Sequence, residues 1–322
     1  MPLITSKYRA PSWLKGRHMQ TIVPALFRRV IGVEVQRERI STPDGDFLDV
    51  DWGRKGHKRL AILSHGYEGS SRQPYILGMT KALNESGWDT LGWNYRGCSG
   101  EINNKVRFYH ADSSDDLAWL IDLALNTCHY RQIVLIGFSL GGSMTLKYLG
   151  ENHGHLPVEI THAATFSVPG DLYSCVEELS ATPFQKGVYH QRFLLSVKSK
   201  LAKKITQFPD LLGHLDLGKI HSIEDFDNQF TAPLCGFKNA RDYYKKCSCA
   251  QYIPEIRIPT LIVNAQNDPL LHPNSHPMQE CRRNKRVFLE MTGDGGHVGF
   301  VHTDLHHNHW TDMRAIEFLE TG

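Results

Sequence analysis

In Ile133-Val134-Leu135-Ile136-Gly137-Phe138-Ser139-Leu140-Gly141-Gly142-Ser143-Met144-Thr145-Leu146-Lys147-Tyr148-Leu149-Gly150, a strand signal runs directly into a helix signal. Residues 133–137 are a brief β-branched, apolar run, which suits a parallel strand covered on both faces. Met144, Leu146, Lys147 and Leu149 are good helix formers, and Gly150 is a stop. Between strand and helix lies G-x-S-x-G, as Gly137, Ser139 and Gly141. A chain that passes from strand to helix in three residues crowds its own backbone, and glycine removes the side chains that would clash. The apex residue is strained and its side chain stands clear of the sheet. The Leu140 N–H, at the helix N-terminus, points toward any anion formed there. The stretch reads as a nucleophile elbow. The competing reading makes Ser139 an ordinary helix N-cap.

The neighbouring segments extend the α/β pattern. Val33 and Val35 alternate with charge, Ile40, Phe47, Leu48, Val50 and Trp52 follow, and Pro43-Asp44-Gly45-Asp46 is a turn signal; residues 34–52 form a hairpin at a sheet edge. Leu60-Ala61-Ile62-Leu63 is a buried strand leading into His65-Gly66-Tyr67-Glu68-Gly69, whose glycines let backbone amides face a crevice. The Tyr67 N–H is therefore the second candidate oxyanion donor beside Leu140. Residues 75–87 and 112–126 carry apolar residues at helical spacing, with a strand at 90–95 between them. After the strand Ala163-Ala164-Thr165-Phe166-Ser167-Val168 the alternation stops, and 171–255 reads as helical with a basic middle at Lys198, Lys200, Lys203 and Lys204. Core strands return at 259–265 and 286–290, and a helix at 310–319 closes the chain.

These elements predict an α/β-hydrolase fold, with a mostly parallel central sheet, helices on both faces and a helical cap insertion. The domain boundaries are an N-terminal arm over 1–33, a core over 34–170 and 256–322, and a cap over 171–255.

Three residues follow strand ends in the chain order Ser, Asp, His: Ser139, Asp268 and His297. A serine hydroxyl is a weak nucleophile, so an imidazole must take its proton, and a carboxylate must fix the tautomer of that imidazole. Asp268 lies in Gln266-Asn267-Asp268-Pro269 and His297 in Gly293-Asp294-Gly295-Gly296-His297. The alternative carboxylate is Asp171, just after the preceding strand. An acyl-ester hydrolase working through an acyl-serine is the function this order predicts. The alternatives are an acyltransferase using the same residues and a non-catalytic ligand- or protein-binding module on the same fold.

The chain resembles the YheT-like family of α/β-hydrolases, related to embryogenesis-associated plant proteins and to mammalian α/β-hydrolase-domain lipid enzymes. The resemblance covers nearly the whole length. It rests on Gly16-Arg17-His18-Met19-Gln20-Thr21, Tyr95-Arg96-Gly97-Cys98-Ser99-Gly100-Glu101 and Gly137-Phe138-Ser139-Leu140-Gly141-Gly142, and equally on Thr231-Ala232-Pro233, Asp242-Tyr243-Tyr244 and Gly295-Gly296-His297-Val298-Gly299-Phe300. It implies a serine carboxylester hydrolase acting on short or medium acyl esters, with its triad on Ser139, Asp268 and His297.

Composition bounds the remaining readings. The 322 residues can bury one large α/β core, and a net charge of +2 with dispersed basic residues gives no footprint for nucleic acid. Seven cysteines at irregular spacing read as reduced thiols of a cytoplasmic enzyme rather than a disulfide framework. No stretch reaches the roughly 20 apolar residues of a membrane span, and no secretory signal opens the chain. The first 33 residues hold Lys7, Arg9, Lys15, Arg17, Arg28 and Arg29 with Trp13, Met19, Leu26 and Phe27, and no acidic residue. This arm either packs over the core with its basic groups outward, Pro24 interrupting any long amphipathic helix, or touches an anionic membrane surface peripherally. His302 and His306 could share a helical face as metal ligands but lack acidic or cysteine partners at ligand spacing. H-x-x-x-x-D occurs at His110–Asp115 and His307–Asp312, as chance allows among 18 histidines. The expected partner is a small-molecule ester; no cofactor and no metal are expected, and the oligomeric state is left open. Phe184, Phe193 and Leu194 are candidates for the wall of the acyl pocket by composition.

Overall fold

A computed structural model describes residues 3–128 and 130–321. Its strands are β1 (Leu3–Thr5), β2 (Gln36–Ser41), β3 (Phe47–Gly53), β4 (Arg59–Ser64), β5 (Asp89–Trp93), β6 (Gln132–Phe138), β7 (Ile160–Phe166), β8 (Thr260–Ala265) and β9 (Val287–Thr292). They join in one sheet in the order β1-β9-β8-β7-β6-β4-β5-β3-β2. β2 and β3 form the expected edge hairpin, antiparallel to each other, and β3 runs antiparallel to β5; the other pairings are parallel.

Along β6 the pleat sends Ile133 and Leu135 to one face and Val134 and Ile136 to the other, and each pair joins a different apolar cluster. Both faces are therefore dry, which is why the central strands read as unbroken apolar runs. The principal helices are α1 (Arg17–Phe27), α2 (Pro74–Glu85), α3 (Ser114–Cys128), α4 (Leu140–Glu151), α5 (Leu172–Glu178), α6 (Gln191–Gln207), α7 (Ala240–Cys247) and α8 (Trp310–Thr321). α3 and α4 pack on one face of the sheet, α2 and α8 on the other. Residues 172–255 contain only helices and connecting turns, among them α5, α6 and α7.

The N-terminal segment differs from expectation in three ways. Leu3–Thr5 adds a parallel strand beside β9. α1 runs straight through Pro24. Proline costs a helix one hydrogen bond, but the buried face made by Gln20, Thr21 and Pro24 is fastened to the 294–299 loop, and that packing outweighs the loss. Arg28 is also not outward: it is buried and pairs with Asp312 at 2.5 Å. Among the described residues, no helix is long and apolar enough to cross a membrane.

Candidate active site

β6, the central strand, delivers Ser139 just past its carboxyl end with backbone angles of φ 52° and ψ −121°, a region ordinary residues avoid. The strain is held by close packing. The Ser139 N–H donates to the Phe166 carbonyl at 2.8 Å, and a Cβ on Gly141 would stand 2.6 Å from the His65 carbonyl oxygen, so only glycine lets α4 start there. The Ser139 side chain makes no capping bond to α4, which removes the N-cap reading. Its Oγ lies 2.9 Å from His297 Nε2 instead.

His297 Nδ1 lies 2.8 Å from Asp268 Oδ2. Asp268 is 1 % exposed, and its Oδ1 accepts the Leu270 N–H at 2.8 Å, which fixes the carboxylate plane. With a neutral ring, Nδ1–H donates to Asp268 and Nε2 accepts from the Ser139 hydroxyl. Asp171 has no hydrogen bond with His297 among the described residues and caps α5, accepting the Ser174 N–H at 3.0 Å.

The amides near Ser139 are also sorted. The Gly66 N–H donates to Tyr75 Oη at 2.9 Å and the Glu68 N–H to Tyr109 Oη at 2.8 Å. Between them the Tyr67 N–H donates to no protein acceptor among the described residues, and neither does the Leu140 N–H in the first turn of α4. Glu68, itself at φ 54°, is tied to α6: Lys200 Nζ donates to Oε1 at 2.8 Å and Ser196 Oγ to Oε2.

Sequence reading missed the residues that seat His297. Its N–H donates to Thr21 Oγ1 at 2.9 Å. Gln20 Oε1 accepts from Gly295 N and Asn267 Nδ2, both at 2.8 Å. Asn267 Oδ1 accepts the Gly296 N–H at 3.0 Å, and Ser167 Oγ the Val298 N–H at 2.9 Å. Arg17 Nη2 donates to the Asp268 carbonyl at 3.0 Å. Gly296, at φ 60°, would carry a Cβ 2.7 Å from Thr21 Oγ1, so α1 reaches the loop only because glycine is there. The sole advance signal was the run Gly16–Thr21, to which pattern alone gives no role.

Two cavities meet at Ser139 and His297. One is mostly apolar and lined largely by buried side chains, among them Leu140, Leu172, Val197, Phe226 and Leu271, with the half-buried Phe193. The other opens between α1 and the start of α6, past Ile22, Leu26, Val188, Tyr189 and Arg192. Of the three proposed wall residues, Phe193 lines both cavities; Leu194 lies in the core and Phe184 is 46 % exposed, its ring 4.4 Å from that of His18. Among the described residues no hydrogen bond or ion pair joins either H-x-x-x-x-D pair: Asp115 pairs with Arg107, His307 with Asp304, and Asp312 with Arg28. Among the described residues, no three His, Cys, Asp or Glu side chains are grouped to hold a metal ion.

A parallel α/β sheet, a strained serine between strand and helix, and Asp and His on later strand-end loops define the class of the α/β-hydrolases. The chain belongs to this family: it matches the alpha/beta hydrolase fold over residues 62–302. It is 33 % identical to the YheT protein of Escherichia coli (strain K12) over 94 % of this chain and 90 % of that one. It is 27 % identical to the mouse (Mus musculus) phospholipase ABHD3, over 93 % of this chain and 74 % of the relative. Against a Saccharomyces cerevisiae monoacylglycerol lipase it is 30 % identical, over 87 % of this chain and 62 % of the relative. The Pyrococcus furiosus esterase Pf2001 superposes with a TM-score of 0.55 at 19 % identity, covering 89 % of this chain and 91 % of that one, and shows the same fold.

Proposed function

We propose that this protein is a carboxylic ester hydrolase that works through an acyl-serine at Ser139. The observation that carries the reading is the unbroken hydrogen-bonded chain Ser139–His297–Asp268, beside two amides with no protein acceptor among the described residues. His297 Nε2 takes the hydroxyl proton as Ser139 Oγ bonds to the ester carbonyl carbon, and the carbonyl oxygen becomes an oxyanion held by the Tyr67 and Leu140 N–H groups. Asp268 stabilises the imidazolium. The imidazolium then returns the proton to the departing alcohol, leaving the acyl-serine. Water enters, His297 removes its proton, and the acid departs as Ser139 regains its own. The names of the phospholipase and lipase relatives support ester bonds as the target.

The cavity lined largely by buried side chains suits the acyl chain, and the one between α1 and α6 suits the alcohol. Residues 171–255 act in this reading as the cap over a core of 34–170 and 256–322. Trp13, Met19, Leu26 and Phe27 of the arm and Phe184, Val188 and Leu195 near the start of α6 are all exposed, and with Lys15, Arg29, Lys186 and Arg192 they suit peripheral contact with an anionic membrane. A cytoplasmic setting accords with the six cysteines among the described residues, none of which is in a disulfide. Fluorophosphonate labelling with peptide mapping, alongside turnover of p-nitrophenyl esters of increasing length, tests the reading. Adduct at Ser139 with ester turnover is expected; absence of both in folded protein overturns it.

A further inference from the structure

The cavity lined largely by buried side chains is apolar near Ser139, yet part of its wall is a cluster of polar groups the mechanism does not use. Asp227 is 6 % exposed and lines the same cavity as Ser139 and His297. Thr231 Oγ1 donates to its Oδ1 at 2.6 Å and Tyr244 Oη to its Oδ2 at 2.6 Å. Among the described residues no Lys, Arg or His pairs with it. Two of the four lone-pair positions of the carboxylate are thus filled by neutral hydroxyls, and two are left without a donor. A buried carboxylate with no counter-ion carries a desolvation cost that a ligand's donor would relieve. Burial pushes the Asp227 carboxyl up to about 6, and the two hydroxyls that bond to it offset that only in part.

Two further donors face the same cavity without acceptors. The Tyr67 ring lies between those of Tyr109 and Phe193, at 5.9 and 5.3 Å, and its hydroxyl takes part in no protein hydrogen bond among the described residues. Burial and the charge of Asp227 hold that phenol protonated. His110 is 7 % exposed, accepts the Asp112 N–H on Nδ1 at 3.2 Å, and so carries its proton on Nε2, which has no partner among the described residues. Asp227 and Thr231 also fall in a π-helical turn, Asp227–Thr231, a winding frequent at functional sites. Thr231 and Tyr244 belong to two sequence motifs, Thr231-Ala232-Pro233 and Asp242-Tyr243-Tyr244, that the triad does not explain.

We infer that this cavity contains a polar subsite for a hydroxyl carried on the substrate's acyl chain, accepted by Asp227 and donated to by the Tyr67 phenol. A hydroxyl is both donor and acceptor, so it satisfies both groups at once. The inference rests on Ser139 acting as the acylated nucleophile, with the acyl chain in this cavity. It makes the preferred substrate a hydroxylated acyl ester rather than a plain alkanoate.

The test compares, for each chain length from about six to about twelve carbons, the kcat/KM of the p-nitrophenyl ω-hydroxyalkanoate with that of the plain p-nitrophenyl alkanoate. In a wholly apolar pocket the hydroxyl loses its water without replacement, and the hydroxylated ester is the poorer substrate at every length. The subsite predicts the opposite at one or two adjacent lengths, by at least about tenfold, and those lengths measure the reach from Ser139 to Asp227. Asp227→Asn and Asp227→Leu should each collapse the ratio between the two esters, a quantity in which partial loss of folded enzyme cancels. A plain ester preferred at every length in the wild-type protein overturns the inference without recourse to a variant. An unchanged ratio in folded Asp227→Leu overturns it as well. If neither series is turned over and Ser139 takes no fluorophosphonate, the hydrolase reading fails and the subsite falls with it; turnover of plain esters alone removes only the subsite.

Discussion

Ser139 is placed by its near neighbours, and His297 by residues at the other end of the chain. The serine needs β6 before it, α4 after it, and the close approach of Gly141 to the exit of β4. The histidine sits on a loop whose N–H groups are held by Thr21 and Gln20, 276 and 275 positions away. A nucleophile elbow is a feature of local geometry, whereas a base on a glycine-rich loop must be fastened from outside. The comparison teaches that the arm, although it contains no candidate catalytic group, belongs to the site.

The largest effect should come from the local side. Ser139→Ala removes the nucleophile without touching the arm, and turnover of any substrate ester should fall on the order of a millionfold with an unchanged melting temperature. Near-wild-type turnover in a clean preparation would refute the elbow.

Asp268→Asn keeps the loop but offers His297 a donor where it needs an acceptor, so kcat should drop roughly 10⁴-fold. Asp171→Asn, which alters a cap on α5 and a bond from Ser248 Oγ, should leave kcat within about twofold. A reversed ranking would place the acid on the earlier strand.

Thr21→Val and Gln20→Ala probe the distant fastening. Each releases N–H groups of the His297 loop, and a base displaced by about 1 Å costs on the order of 10–100-fold in rate. The loss should appear in kcat with KM little changed, and Thr21→Ser should restore it. Equal loss of kcat and folded protein, without rescue by serine, would reduce the arm to a stability element.

The smallest effect concerns acid stability. Burial lowers His65 to about 3 and His110 to about 4, so both stay neutral in the fold while the unfolded chain titrates near its ordinary value of 6.5. Below pH 6.5 the unfolded state binds more protons, and stability present above that pH is lost as pH falls toward 4 and 3. The slope should reach at most about 1.4 kcal/mol per pH unit for each group. Urea melts at about pH 7, 5.5 and 4.5 measure it, and His110→Gln should flatten the curve; an unchanged slope would mean that His110 is protonated in the fold.

Much of the molecule was legible before its structure. The strand-to-helix run at 133–150 carried the fold because its period changes at the glycines, and that change is a local property of the chain. Strand ends likewise pick out Ser139, Asp268 and His297 as candidates, and the fold joins these three by hydrogen bonds. Three things were not legible. Pro24 should have broken α1, but burial of Gln20 and Thr21 under the 294–299 loop outweighs the missing bond. Arg28 should have faced water, but Asp312 pairs with it in the interior. Of the candidates that composition offers for a pocket wall, Phe193 lines the cavities at Ser139 while Phe184 is exposed and Leu194 is in the core, because composition does not say what a side chain meets. Elements and chain order follow from short-range sterics and the burial pattern, which each segment carries in itself. The seat of His297 and the polar wall at Asp227 depend on side chains that meet only when distant segments pack, and no local pattern encodes that meeting.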